Sequence, residues 1–224
     1  MVTRFYLPNT GCAAIDPALG AWEVTTGRIQ RKAVTTKIGS SFAMHVMAEQ
    51  ATANQRFLCR QYITDPVSAQ TITGTIKGQI RASGGTVSAR SMMLVRVVSN
   101  NGSTYRGTLL DFNDSPASAV FVATLTNRHM PHLPTTQTSI TVSAVAAQAG
   151  DRLVIEIGAL HGVGGESGAG LNFGDATSDL PEDLTTVTAN SPWVEFSLDL
   201  FTAAGGAPAE SESRIYLTLR GAGI

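Results

Sequence analysis

The sequence has few cysteines and few aromatic residues, and these shortages exclude or weaken two kinds of function. Cys12 and Cys59 are its only cysteines, and neither lies in a spacing typical of metal ligands. A scaffold held together by several disulfides is therefore excluded, and two reduced thiols are the simpler expectation for a protein made in a cytoplasm. Aromatic residues make up 6% of the chain, which leaves little material for an aromatic ligand-binding surface.

The sequence also lacks an excess of charge of either sign. Its 16 Lys and Arg residues face 17 Asp and Glu residues, which gives a formal net charge of -1 at pH 7. There is no basic field to attract nucleic acid or an anionic membrane, so neither is an expected partner. No apolar run approaches the length of a membrane span, and the N-terminus has no secretory signal pattern. We therefore expect a protein that is made soluble.

Charged residues of both signs are scarce as well. They form 15% of the chain, against about 25% in typical soluble domains. Depletion of Lys, Glu and Asp is the compositional mark of interface cores, so the scarcity predicts that part of the surface is covered by neighbouring subunits. The alternative is that a β-protein with many Ser and Thr turns simply carries fewer charges.

What the sequence has in abundance is short segments that alternate between apolar and polar residues. In residues 150–158 a Gly-Asp turn precedes Leu153, Ile155 and Ile157, which alternate with Val154 and Glu156. Similar strands are predicted at residues 57–63, 71–82, 91–98, 104–110, 120–125, 138–145, 191–201 and 214–220. Residues 40–48 are also predicted to be a strand, with a short helix as the alternative. Such short strands with antiparallel turn chemistry predict an all-β protein, an antiparallel jelly-roll-like β-sandwich.

The pattern divides the chain into three parts. Residues 1–36 contain Pro and Gly at irregular intervals and are predicted to be an extended N-terminal arm, residues 37–201 the β-sandwich domain, and residues 202–224 a linker and a detached C-terminal strand. An arm with spaced apolar anchors lies across its own sandwich or a neighbouring subunit, and a strand on a small-residue linker often adds to a sheet edge. The predicted interface residues are Phe5, Tyr6, Leu7, Trp22, Ile215, Tyr216, Leu217 and Leu219.

Reactive constellations are weak throughout the chain. His129 and His132 lie on a Pro-containing segment without an adjacent carboxylate or Cys, which favours polar loop histidines over a zinc site. No G-x-S-x-G stretch marks a nucleophile, although Ser167 is flanked by glycine. We therefore expect that the chain is not an enzyme.

The strongest candidate site is the acidic segment 175–183. Asp175, Asp179 and Asp183 supply the hard oxygen ligands that Ca²⁺ prefers, and they are the predicted metal ligands. There is no EF-hand spacing, so a solvated acidic loop is the alternative. No other cofactor is expected. Sugar binding would need exposed aromatic platforms, and Tyr62, Tyr105 and Tyr216 are the candidates, although cross-strand packing explains them equally well.

Several stretches together resemble a group of virion proteins from the structural regions of tailed phages and prophages. The matching segments are RFYLP at 4–8, RQY at 60–62 with DP at 65–66, TGTIKGQ at 73–79, RVVSNNGST at 96–104, GDRLVIEIG at 150–158, NFGD at 172–175, DLPED at 179–183 and PWVEFS at 192–197. The resemblance implies a virion component with a sandwich fold and supplies no catalytic residues. Residues 198–224 lie outside it.

Composition, arm and resemblance lead to one hypothesis and one alternative. The first is a capsid decoration or cement protein of a phage head, made in the host cytoplasm and incorporated into the virion. It would contact the major capsid protein and self-associate, with a trimer as the expected state. The alternative is a module on the head or tail surface that binds host glycans, with Ca²⁺ as its possible cofactor.

Overall fold

The fold consists of β-strands only. The computed structural model describes residues 2–25, 28–47, 54–84, 89–112, 125–130, 138–161, 169–182 and 191–202. Within these ranges there are 14 strands and no helix. The strands are β1 (Thr3–Tyr6), β2 (Ile29–Lys32), β3 (Ala43–Val46), β4 (Gln55–Ile63), β5 (Gln70–Ile72), β6 (Thr75–Ser83), β7 (Arg90–Val98), β8 (Tyr105–Leu110), β9 (Thr126–Met130), β10 (Ile140–Thr141), β11 (Val145–Ala147), β12 (Arg152–His161), β13 (Gly170–Phe173) and β14 (Trp193–Phe196).

Two large sheets and one small ribbon organise these strands. The first sheet has seven strands in the order β1-β14-β6-β13-β3, with β9 and β10 also paired to β6. The second sheet has five strands in the order β2-β4-β12-β7-β8, in which only the β2–β4 pair is parallel. Strands β5 and β11 form the ribbon. The prediction of an all-β sandwich is confirmed.

The core lies between the two large sheets and follows from strand alternation. On β12, Leu153, Ile155 and Ile157 point into this core and are fully buried. The alternate residues of β12 lie on the outer face of the second sheet, as the period of two requires. The sequence predicts Trp193 as a large core residue; it is buried, but outside this core, where its indole N–H donates to the backbone oxygen of Leu180.

Residues 13–24, here called the covering segment, lie across the outer face of the second sheet. Trp22 packs there against Leu58 and Leu94, and Ile15 packs against Val154. The prediction of an arm outside the sheets is wrong for two parts of residues 1–36, because β1 pairs with β14 and β2 pairs with β4. The covering segment therefore lies on its own sandwich, which was one of the two placements expected for an arm.

Three local predictions are also wrong. The prolines at 131 and 134 predict a loop over residues 127–134, but residues 127–130 belong to β9, and Pro131 comes after that strand ends, so it removes no hydrogen-bond donor from it. The polar composition of residues 171–190 predicts an excursion from the sheets, but residues 171–173 belong to β13, a buried strand between β6 and β3. The single strand expected over 71–82 is divided at Gly74, whose φ of 92° interrupts the extended backbone.

Two predicted strands lie wholly or mostly outside the described residues. The strand expected at 120–125 is described only at Leu125, and the strand expected at 214–220 lies entirely outside the described residues.

Both cysteines are free thiols, Cys12 exposed and Cys59 buried. In the described part of the chain, no helix has the length and apolar character needed to cross a bilayer.

Candidate functional site

Asp175, the first predicted metal ligand, is committed to the backbone of a neighbouring loop. Its carboxylate accepts the backbone N–H groups of Ile38 at 2.7 Å and Ser40 at 2.6 Å. The residue is only 1% exposed. A buried carboxylate needs such donors because its charge would otherwise be left without water or a partner. Asp175 therefore joins the segment after β13 to the loop before β3.

Asp179, the second predicted ligand, lies in an ion-pair network. One carboxylate oxygen accepts from Arg4 at 2.7 Å and from the Tyr6 hydroxyl at 3.1 Å, and the other lies 2.5 Å from the Lys37 ammonium. Partial burial opposes ionisation of Asp179, but hydrogen bonds from Lys37 and Arg4 outweigh it and lower the pKa of the carboxyl group. Asp179 is thus held ionised by cations from β1 and from the loop that follows β2.

Glu195 on β14 extends this network along the first sheet. Its carboxylate lies 2.8 Å from Arg4 and 3.3 Å from Lys77, and Lys77 also lies 2.7 Å from Glu182. The Arg4 guanidinium lies over the Trp193 ring, 4.0 Å from the ring centre, a cation–π arrangement. We call this set the charged network; its members are Arg4, Lys37, Lys77, Asp179, Glu182 and Glu195. It holds segment 175–182 against the outer face of the first sheet.

Within the described ranges the predicted metal ligands do not come together. Among the described residues no group of three or more His, Cys, Asp or Glu side chains could hold a metal ion. Asp175 and Asp179 point to different protein partners, as described above, and Asp183 lies outside the described residues. A calcium site stays a prediction.

The predicted interface residues at the N-terminus belong to the protein's own packing. Phe5 and Leu7 are fully buried in the core between the sheets, and Trp22, part of the covering segment, is buried against the outer face of the second sheet. In this arrangement these side chains pack within their own sandwich, and their role as intersubunit contacts stays a prediction. Tyr6 is half-buried and donates to Asp179. Ile215, Tyr216, Leu217 and Leu219 lie outside the described residues.

The outer side of β1 is an open strand edge. Tyr6 exchanges two backbone hydrogen bonds with Val34, at 2.7 and 3.3 Å, on the side away from β14. Successive residues of an antiparallel strand point their N–H and C=O groups to alternate sides, so the backbone of Arg4 also points away from β14. Among the described residues, no backbone hydrogen bond reaches Arg4 on this side.

A groove of about 280 Å³ accompanies this edge. Its lining residues are Val2, Thr3, Arg4, Thr35, Asp199 and Phe201. Phe201 packs edge-on against the Phe5 ring, with centroids 6.1 Å apart, yet 38% of its surface stays exposed. We call the open side of β1 together with this groove the β1 edge. It combines free backbone groups with an exposed aromatic side chain, which is the chemistry that receives an added strand.

The histidines occupy structural positions. His129 is buried on β9 beside Gln79, with 2.6 Å between the ring Nδ1 and the amide nitrogen. His45 accepts a 2.8 Å hydrogen bond from the buried Arg60 guanidinium. Burial, together with the Arg60 charge, lowers the pKa of His45 to about 4. His132 lies outside the described residues.

Sequence reasoning missed Arg60, which is 3% exposed within β4. Burial lowers the pKa of its guanidinium, and its ring partner is Phe173, 5.0 Å away. A charged residue in an apolar strand was the available signal for a buried polar contact.

The aromatic platforms proposed for sugar binding separate into two groups. Tyr62 is fully buried, and its hydroxyl donates to the backbone oxygen of Pro8, so it cannot stack on a ligand. Tyr105 on β8 is 59% exposed. Tyr216 lies outside the described residues.

Comparisons with known proteins give distant structural likenesses only. Neither protein families nor curated proteins yield a match to this chain. A CocE/NonD family hydrolase from Staphylococcus aureus matches 88% of this chain and 36% of its own, with 8% identity and a TM-score of 0.39. A structure of infectious bursal disease virus, Gx strain, matches 81% of this chain and 44% of its own, with 13% identity and a TM-score of 0.22. The chain spans less than half of either protein.

These likenesses correct one expectation. The prediction that the chain is not an enzyme is wrong as a general exclusion, because solved structures of hydrolases are among those the chain is similar to. At such TM-scores and identities the likeness assigns neither an activity nor a viral role to this chain.

Proposed function

We propose that this chain is a structural protein of a bacteriophage particle, a decoration or cement protein that stabilises the head. The observation that carries the proposal is the β1 edge, an open strand edge beside the point where the described chain ends. The sandwich core closes at the buried Leu200, and residues 203–224 follow. Because residues 203–224 follow the last buried core residue in the sequence, they are the part of the chain proposed to contact other subunits.

Two features of the sequence support the same function. The charged fraction of 15% suits a surface that neighbours cover. The phage-virion resemblance described above spans residues 4–197. The proposed partners are the major capsid protein and further copies of this chain, with three copies grouped at each site on the head. Because the N-terminal anchors are buried in their own sandwich, the C-terminal segment 214–220 is the element proposed to link subunits.

Phage heads that lack this protein provide the test. We expect added protein to bind saturably, in copy numbers divisible by three, and to raise the temperature at which the heads release their DNA. A double variant, Leu217→Asp with Leu219→Asp, should bind more weakly, because charge on the apolar face opposes burial. The matched control places the same charges in the linker, as Ser211→Asp with Ser213→Asp, and should bind like the natural sequence. Heads that neither bind the protein nor gain stability would refute the proposal.

Glycan binding is the second candidate, and exposure of Tyr105 is the observation that favours it. An exposed ring beside polar groups is a platform on which a sugar face can stack. The test is a glycan array probed with the natural sequence and with Tyr105→Ala, in the presence and absence of Ca²⁺. A bound glycan whose signal disappears in the variant would support this function, and an array without signal would exclude the glycans that it carries.

A further inference from the structure

We infer that the β1 edge is a docking site for residues 214–220 of the same chain. The inference concerns the isolated protein and does not depend on the proposed function; to link subunits on a head, the segment would have to leave its own β1 edge for that of a neighbour. It rests on the geometry of the acceptor, on the sequence of the occupant and on the length of chain between them.

The acceptor offers backbone groups in one definite pattern. The backbone groups of Tyr6 are bonded to Val34, on the side away from β14, and those of Phe5 are directed to β14. Arg4, two residues before Tyr6, therefore has its N–H and C=O directed outward as well. Unpaired groups of this kind on an edge strand form a template for another strand. Val34 is followed by the exposed Thr35, which lines the groove rather than continuing the pairing.

The occupant matches the two sides of this edge. Residues 214–220 alternate, with Ile215, Leu217 and Leu219 on one face and Tyr216 and Thr218 on the other. A strand added beside β1 directs alternate side chains to opposite faces of the first sheet. The aliphatic face would then cover Phe201 on the core side. The polar face would lie on the side of the Arg4 side chain.

Charge complements the apolar contact. The segment begins and ends with Arg214 and Arg220, and Asp199 lines the groove. Hydrogen bonds from the backbone of Phe201 and from Thr202 lower the pKa of Asp199, so this carboxylate is ionised at neutral pH. An arginine at one end of the added strand would therefore meet an acidic side chain.

The linker makes docking within one chain favourable. Phe201 lies in the groove itself, and the eleven residues 203–213 connect Thr202 to the segment. Fully extended, they reach about 36 Å, at roughly 3.3 Å a residue. As a flexible Gly- and Ala-containing chain, they span roughly 20 Å on average. A short flexible linker produces a local concentration in the millimolar range, far above that of a second copy in dilute solution.

Amide hydrogen exchange of the full-length protein tests the inference at single residues. We expect the Arg4 amide to be protected at least about tenfold in the natural sequence relative to Leu217→Pro and Thr218→Pro. Two proline variants are needed because only alternate N–H groups of an added strand face its partner, so one of the two should have the larger effect. Ala209→Pro, in the linker, is the matched control and should leave Arg4 protected.

The same spectra contain an internal standard for folding. The amides of Phe5 and Tyr6 have partners within the sandwich, so they should stay protected in every variant. Equal exchange of Arg4 in the natural sequence and in both strand variants would overturn the inference. Protection that appears only as the protein concentration rises would also overturn it, because the occupant would then belong to a second copy.

Discussion

At the scale of single residues, the most unexpected group is the carboxylate of Glu156. It is fully buried on the outer face of the second sheet, where strand alternation alone would place a solvated side chain. It accepts from the Trp22 indole at 2.8 Å, from Gln61 at 2.8 Å and from Arg96 at 2.7 Å. The backbone N–H of Gly20 donates to it as well. These donors make the carboxylate the polar attachment point of the covering segment.

Neutralising this carboxylate should destabilise the fold. The amide group of Glu156→Gln has the size of the carboxyl group that it replaces. However, Arg96 loses its anionic partner, and an N–H of the new amide points at groups that donated hydrogen bonds to the carboxylate. We expect the free energy of unfolding to fall by about 2–4 kcal/mol, as for buried pairs deprived of one partner. Urea denaturation followed by fluorescence of the tryptophans measures it.

An exposed ion pair offers the control for Glu156→Gln. Lys32 and Asp65 lie 2.8 Å apart with side chains 40% and 54% exposed. Asp65→Asn should change stability by less than about 1 kcal/mol, because solvent screens the pair. Equal effects of the two substitutions would show that burial of Glu156 contributes nothing.

His45 predicts how stability depends on pH. Its pKa is about 4 in the folded protein, below the usual value of 6.5, because it is partly buried and accepts from Arg60. Below pH 6.5 the unfolded chain therefore binds more protons at this site than the folded chain. The contribution of His45 to stability is complete above pH 6.5 and is lost as pH falls from 6.5 to 4.

The variant His45→Gln isolates this contribution. Glutamine keeps an acceptor for Arg60 but does not titrate, so its stability should decline less between pH 6.5 and 4 than that of the natural sequence. Denaturation midpoints at half-unit pH intervals provide the comparison. If the two curves ran parallel over this range, His45 would not be the group responsible.

At the scale of strands, the sequence predicts strands with alternating apolar residues better than strands whose polar side chains are buried. Residues 57–63, 91–98 and 104–110 were predicted as strands and coincide closely with β4, β7 and β8, because each combines alternation with a recognisable turn. Strand β9 was missed because its residues, Thr126–Met130, include polar side chains that are all buried. Burial of these side chains depends on partners distant in sequence, which no local pattern contains.

The candidate site was predictable only in part. The acidic residues were recognised from their spacing, but nothing local showed that Arg4 and Lys37 would neutralise Asp179. In the chain, Lys37 lies more than 140 residues from Asp179, and Arg4 lies 175 residues from it. Arg4 reaches Asp179 from β1 and Lys37 reaches it from the loop after β2, so the contacts depend on the order of strands in the sheet, which was not derivable from the sequence.

Gly158 is an element-scale feature with a direct test. It lies where the register between β12 and β4 shifts, and a Cβ atom there would lie 1.9 Å from the Phe57 backbone oxygen and 2.6 Å from the Trp22 ring. In Gly158→Ala the strands would have to separate and the covering segment would have to move. We expect a loss of about 3 kcal/mol or more in the free energy of unfolding, at the upper end of overpacking effects.

Gly39→Ala is the control for this substitution. Gly39 has a φ of 73°, but no heavy atom lies within 4 Å of the position of a Cβ. Its cost should be confined to backbone strain of about 1–2 kcal/mol. Denaturant titrations of both variants, compared with the natural sequence, separate the clash from the strain. A milder effect at Gly158 than at Gly39 would contradict the close approach of β4.

At the scale of the whole molecule, the two ends of the described sandwich meet. Thr3 lies opposite Phe196 in the pairing of β1 with β14, and its hydroxyl accepts the Leu200 N–H at 2.9 Å. Joining the two ends of the sandwich through a linker should therefore be compatible with the fold, since ends that lie close tolerate circular permutation. The exposed hairpin loop at Asn101 and Gly102 is a suitable place for new ends.

A permuted full-length chain tests this arrangement. With Ile224 joined to Met1 and the chain opened between Asn101 and Gly102, we expect one cooperative unfolding transition and a stability loss below about 3 kcal/mol. The control, opened between Ile155 and Glu156 inside β12, should not fold, because it cuts the central strand of the second sheet. A permutant that failed at the hairpin while the control folded would contradict the strand order.

The pairing of β1 with β14 also determines how late in translation the first sheet can form. Roughly 190 residues separate the two strands, so at about 5–20 residues a second the ribosome needs roughly 10–40 s between them. During that interval Phe5 and Leu7 have been synthesised, but β14, which pairs with β1 and packs Phe196 against Phe5, has not. In the nascent chain these apolar side chains therefore lack the partner strand that helps to bury them, which favours aggregation. The first sheet can be completed only when translation is nearly finished.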